Sequence, residues 1–207
     1  MNSRIDAIHP VAILRAYWQI GKSMAFWRYT FVAAGMFCSM FAYNAVNSFL
    51  IINELGFAPR YHGMLFALSA CAFIAGSVLG NKLSKSTSVD RVIGWGIMIA
   101  VISGAASWWA SSVTQISLTL VLLPGAVVFF ANGLSLPGAL SQAISTSPHR
   151  RGSASALVGF LQIGSAGIVG SIAGTTYDHT TLPLHKLMFI AALIAALGWY
   201  GIRIAKR

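Results

Sequence analysis

Apolar residues along this chain gather into six runs of about 20 residues each, free of formal charge except at their extreme ends. The runs cover about Tyr29–Ile52, His62–Asn81, Val92–Val113, Ile116–Leu140, Ser153–Gly174 and Leu187–Ile204. A helix needs roughly 20 apolar residues to cross a hydrocarbon layer of about 30 Å. The pattern therefore predicts an all-α membrane protein with six transmembrane helices over 28–207. The stretch 1–27 is different. It begins polar and then becomes amphipathic, with Ile13, Tyr17, Ile20 and Met24 recurring at helical spacing beside Arg15 and Lys22. Such a segment predicts a short helix lying in the headgroup plane.

Composition agrees with the pattern: 57% of the 207 residues are hydrophobic and 9% are charged, against roughly 25% charged in a soluble domain. The net charge of +10 raises the question of nucleic acid, and the placement of the cations answers it. Of the 14 lysines and arginines, all but Arg60 and Lys186 fall in alternate connecting segments or at the chain ends. Lys82, Lys85 and Arg91 stand between the second and third runs, and Arg150 and Arg151 precede the fifth. This is the positive-inside distribution for six spans with both ends cytoplasmic. A nucleic-acid surface would need those charges on one contiguous face. Lys82, Asp90, Arg91, Arg150 and Arg151 are thus expected to set topology, and could also form contacts across the cytoplasmic face.

Chemistry inside the runs is uncharged. None carries an acid or base well away from its ends, so no intramembrane carboxylate offers a proton relay. Asn44, Asn47 and Ser48 share one helix face beside Tyr43, while Asn132 and Gln162 lie within the fourth and fifth runs. An amide in hydrocarbon requires a partner, so these six residues either bond neighbouring helices or line a substrate pathway. Gly76 with Gly80, and Gly170 with Gly174, form small-xxx-small pairs that predict close helix packing. Pro124–Gly125 is expected to interrupt the fourth span and Pro137–Gly138 to close it. The two cysteines fall inside runs and suggest no disulfide framework. The five histidines are scattered, with His179 and His185 expected in the last outer loop, so no metal site or cofactor is expected. Ser165 has no histidine in another span's interior to act as its base, which argues against an intramembrane serine protease.

Three stretches carry a family likeness. "GSVLGNKLSKSTSVDRVIGWG" has a glycine-xxx-glycine helix end, a short basic loop and Asp90–Arg91 before a glycine-bearing helix. This resembles the loop motif between the second and third helices of each half in the major facilitator superfamily, with serine and threonine at the usual glycine–arginine core. "ANGLSLPGALSQAISTSPHRRGSASALVGFLQ" and "FLIINELGFAPRYHGMLFAL" are similar to the drug-resistance antiporters of its bicyclomycin-resistance (Bcr/CflA) branch. The likeness runs over nearly the whole chain, onto the carboxy-terminal six-helix half of a twelve-helix fold, with 1–27 resembling the central loop. It implies one 3+3 inverted-repeat unit and proton-driven efflux of small amphipathic compounds. The implied partners are the lipid bilayer, a small-molecule substrate and a second six-helix half, either a separate chain or another copy. A non-transporting scaffold or regulatory subunit remains the alternative.

Overall fold

The computed structural model describes residues 10–204, excepting the side chains at 10–12 and 203–204. Residues 1–9 of the amino-terminal segment lie outside it. The helices are α1 (Pro10–Gly21), α2 (Met24–Phe49), α3 (Pro59–Ser86), α4 (Val89–Val113), α5 (Leu118–Ser145), α6 (Arg151–Thr175) and α7 (Leu182–Ile204). One π turn, Leu50–Glu54, prolongs α2, and a 3-10 turn, Pro148–Arg150, leads into α6. No strand occurs among the described residues. All the helices but α1 are long and apolar enough to span a bilayer, which gives a six-helix all-α membrane protein.

The helices are longer than the charge-free runs because caps, not charges, set their ends. Ser23, Ser88 and Ser117 each accept a hydrogen bond from the backbone three residues on, starting α2, α4 and α5. Helices α2 and α4 thereby begin ahead of Arg28 and Asp90, where the charge pattern placed the boundary later. Pro59 opens α3 from a position that needs no donor. At the far end of α2, Gly56 adopts φ 70° and turns the chain. The expected break in the fourth span is absent. Helix α5 runs through both Pro124 and Pro137 and ends only at Ser145.

The neighbours repeat. Helix α3 packs on α5 as α6 packs on α2, and α4 packs on α5 as α7 packs on α2. Exchanging the first three spans for the last three maps these packed pairs onto one another, the relation a 3+3 unit requires. Helices α2 and α5 form the centre, while α3 and α6 are the least covered. Glycine decides the closest approaches. A Cβ at Gly76 would overlap the Phe130 carbonyl, and one at Gly133 the Phe73 carbonyl, so α3 and α5 meet backbone to backbone. At Gly80 a Cβ would lie 2.8 Å from the Leu134 oxygen. The second pair differs from expectation. Gly170 receives only the Phe41 ring, and Gly174 has nothing within 4 Å. The small face of α6 is mostly uncovered.

Helix α1 lies against α6 and α2. It turns Ile20 and Tyr17 inward and leaves Leu14 and Trp18 exposed. Trp27 fastens its end by donating to the Gly21 carbonyl at 2.7 Å.

Candidate functional site

At the centre of the bundle, α2 presents Ser39, Tyr43 and Asn47 on one face, four residues apart. All three are buried. The Tyr43 ring lies over Gly125 and meets Phe129 edge-on at 5.8 Å, so this face looks at α5. Gly125 is there because a Cβ would enter the Tyr43 ring. Asn132 occupies the same face of α5, one turn beyond Phe129. It is wholly buried and donates to the Val128 carbonyl at 3.0 Å. From α3, Ser69 approaches the Tyr43 hydroxyl alongside Asn47.

These groups leave bonding capacity unused. The Tyr43 hydroxyl, Asn47 Nδ2, Ser39 Oγ, Ser69 Oγ, Asn132 Oδ1 and Asn44 Oδ1 are buried with no partner of good geometry. Tyr43, Asn47 and Ser69 are nonetheless close neighbours, and a buried polar group left without a bond costs about 1–3 kcal/mol. It is also uncharged. Among the described residues no group of histidine, cysteine, aspartate or glutamate could hold a metal ion.

The residues singled out by sequence divide into three positions. Tyr43, Asn47 and Asn132 belong to the sealed layer. Asn44 and Ser48 are half-buried. At 100° per residue they sit between Tyr43, which faces α5, and Phe41, which packs on Gly170 of α6. Helices α5 and α6 touch each other far less than either touches α2, and this arc of α2 lies between its contacts with the two. Gln162 stands apart. It follows Ala154 and Val158 along the buried face of α6, on the basic side of Ser165, which receives a hydrogen bond from Cys38 at 3.3 Å.

Polar clasps tie the helices at both ends of the bundle. At the basic end, Arg28 of α2 binds Asp90 of α4 at 3.2 Å and donates to the Trp199 carbonyl of α7 at 3.3 Å. Its guanidinium stacks 3.5 Å above the Trp199 ring, a good cation–π geometry. Tyr29 adds a bond to Asp90 at 2.9 Å. Asp90 therefore engages Arg28 rather than Arg91, Arg150 or Arg151. Arg91, Arg151 and Lys82 are exposed and Arg150 half-exposed, with no ion pair among the described residues. At the other end, Glu54 accepts bonds from Tyr177 at 2.8 Å and His179 at 2.7 Å. Burial, reinforced by the Glu54 carboxylate, pushes the Tyr177 hydroxyl up to about 12, keeping it a donor. His179 adopts φ 64°, in the left-handed region where histidine is among the non-glycine residues found more often.

One expectation fails outright. His185 is not in the outer loop: α7 starts at Leu182, and His185 is fully buried within it. Its Nδ1 pairs with the Ser111 hydroxyl of α4, which also receives Thr181 at 3.0 Å. Using Lys186 as the boundary of the span hid this residue. Ser39 and Ser69 were also missed. The four-residue spacing of Ser39, Tyr43 and Asn47 signals the first, but nothing local distinguishes Ser69 from other small residues of α3.

The fold and its interior define a polytopic helical membrane protein with an uncharged polar centre. The chain is 25% identical over 181 residues to an MFS-type transporter, YdgK, of Bacillus subtilis (strain 168), covering 87% of this chain and 44% of that protein. It is also 25% identical over 187 residues to multidrug resistance protein D of Escherichia coli (strain K12), covering 90% and 47% respectively. The chain thus spans about half the length of the curated relatives it matches. No family model matches it, and no solved structure does so at a significant level. Its similarity is to transporters of the major facilitator type.

Proposed function

We propose that this chain forms one six-helix half of a major facilitator transporter of the bicyclomycin-resistance type. In this reading it sits in the inner membrane and exports small amphipathic compounds by alternating access. The observation that carries the reading is the polar layer of α2, α3 and α5, whose buried hydroxyls and amides keep unused bonding capacity. A bundle built only for static support has no use for unmet polar atoms at this depth. A helix set that rearranges can satisfy them in turn. Asn44 and Ser48 supply the substrate-facing surface, and Tyr43, Asn47, Asn132 and Ser69 form the layer behind it. The clasp of Arg28, Asp90 and Trp199 holds α2, α4 and α7 together as one rocking body.

The similarity to two transporters, one named for multidrug resistance, supports the substrate class. Their doubled length supports a second half, and the least covered helices, α3 and α6, are the faces we assign to it. Among the described residues no carboxylate lies at the depth of the polar layer, so in this reading proton coupling belongs to that companion half.

The test separates pathway from packing within one helix. In cells that carry a companion half, Asn44→Leu and Ser48→Val should alter which compounds are exported while the protein accumulates normally. Asn47→Leu should mainly alter stability. An unchanged export profile in both Asn44→Leu and Ser48→Val would reject the pathway and leave a scaffold. Expressed alone, the chain should give no energy-dependent efflux. Uncoupler-sensitive export from vesicles containing only this chain would contradict the half-transporter reading.

A further inference from the structure

Helices α3 and α4 both rest on α5 but scarcely touch each other, and at the basic end they part to leave a groove of about 430 Å³. That volume falls within the roughly 300–1,000 Å³ typical of small-ligand sites. Its polar lining is Ser77, Asn81 and Ser84 from α3 with Ser141 and Gln142 from α5. Ser77, Asn81 and Ser84 follow one helix face over about 10 Å of rise, ending two residues before α3 stops at Ser86. The groove therefore descends from the membrane surface into the upper hydrocarbon. Its wall on the α4 side is apolar, formed by Val89, Val92 and Ile93.

Two further features give the groove a preference. Serines elsewhere in the bundle, such as Ser111 and Ser135, turn back to bond a carbonyl of their own helix at 2.8 Å. Ser77, Ser84 and Ser141 make no such bond among the described residues and leave their hydroxyls to the groove. No acid lines it. The nearest in sequence, Asp90, is drawn off by Arg28 and Tyr29, while Lys85, next to Ser84 and one helical turn beyond Asn81, is exposed. An uncharged, donor-rich slot with an apolar wall and an exposed lysine one turn beyond Asn81 matches a phosphodiester headgroup continued by an acyl chain.

We propose that this groove binds an anionic phospholipid, its phosphate held by Asn81, Ser84, Gln142 and Lys85 and its first methylenes lying along Val89 and Val92. The occupant is a membrane lipid and not a transported compound, because the groove sits on the far side of α5 from the polar layer. Bound there, the lipid would brace α3 against α4 where they lack direct contact.

Native mass spectrometry of the purified, delipidated full chain tests this with dioleoyl phosphatidylglycerol, dioleoyl phosphatidylcholine and inorganic phosphate as separate probes. Phosphatidylglycerol should be retained more strongly than phosphatidylcholine, and phosphate alone should not compete. Lys85→Gln should weaken phosphatidylglycerol about fivefold, the worth of one lysine beside an anionic lipid surface. Asn81→Leu, at an exposed position that does not threaten folding, should remove most of the preference. Arg91→Gln, on the opposite face of α4, should change nothing. Equal retention of the two lipids would overturn the proposal. So would equal losses from Lys85→Gln and Arg91→Gln, or displacement of the lipid by phosphate alone.

Discussion

Gly76→Ala tests the packing logic most sharply, because the two glycine pairs that look alike in sequence have opposite surroundings. A methyl group at Gly76 would overlap the Phe130 carbonyl oxygen, with the carbonyl carbon 3.0 Å away and the Leu134 nitrogen at 3.1 Å. Each of these is backbone of α5, so no rotamer change can relieve the clash. Ordinary C···O contacts are about 3.3–3.6 Å, so α3 must withdraw from α5 by an ångström or more. Overpacking of this kind costs about 1–3 kcal/mol, and the rigid neighbour places Gly76→Ala near the upper end. Alanine recovers about 1 kcal/mol through its higher helix propensity. The expected net loss is about 2 kcal/mol. Gly174→Ala meets nothing within 4 Å and should be neutral or slightly stabilising. Reversible unfolding in mixed micelles, followed by tryptophan fluorescence, reads both variants on one scale. Equal stability of Gly76→Ala and the parent, or a comparable loss in Gly174→Ala, would refute the assignment of α3–α5 as the tight seam.

Arg28→Lys should destabilise by about 2 kcal/mol in the same assay, because a lysine cannot stack on Trp199 while reaching both Asp90 and the Trp199 carbonyl. A double-mutant cycle with Asp90→Asn should show coupling, and strict additivity would argue that the clasp is incidental. His185→Leu should cost less than about 1 kcal/mol, since His185 Nε2 has no partner and Ser111 keeps its bond to the Ser107 carbonyl. A loss above about 3 kcal/mol would contradict this, placing His185 in a fully satisfied buried network.

The crossings were legible because lipid imposes one strong rule, a sustained absence of charge, and the six runs obey it. Their ends were less so, since charge marks the membrane surface while serine caps mark the helix. The two disagree by several residues at Arg28, Asp90 and Lys186, and the last discrepancy misplaced His185. Asn47 and Tyr43 could be found by spacing along α2. Their neighbours Ser69 and Gly125 belong to other helices, and only the assembled bundle brings them together. The glycines show the same limit. Gly76 finds Gly133 across a seam that sequence spacing cannot reveal, whereas the equally regular Gly170–Gly174 pair faces outward. Partner choice at the basic end likewise depends on geometry, because eight arginines fall in the basic segments in sequence and, among the described residues, Arg28 is the one paired with Asp90.

Accessibility labelling tests the central claim, an alternating thread that keeps the basic ends on one side of the membrane. With Cys38 and Cys71 replaced, single cysteines are introduced as Lys82→Cys and Lys186→Cys and exposed to a membrane-impermeant maleimide on intact cells. The account predicts that Lys186→Cys is labelled at once and Lys82→Cys only after the membrane is opened. Equal labelling of both positions without permeabilisation would contradict it.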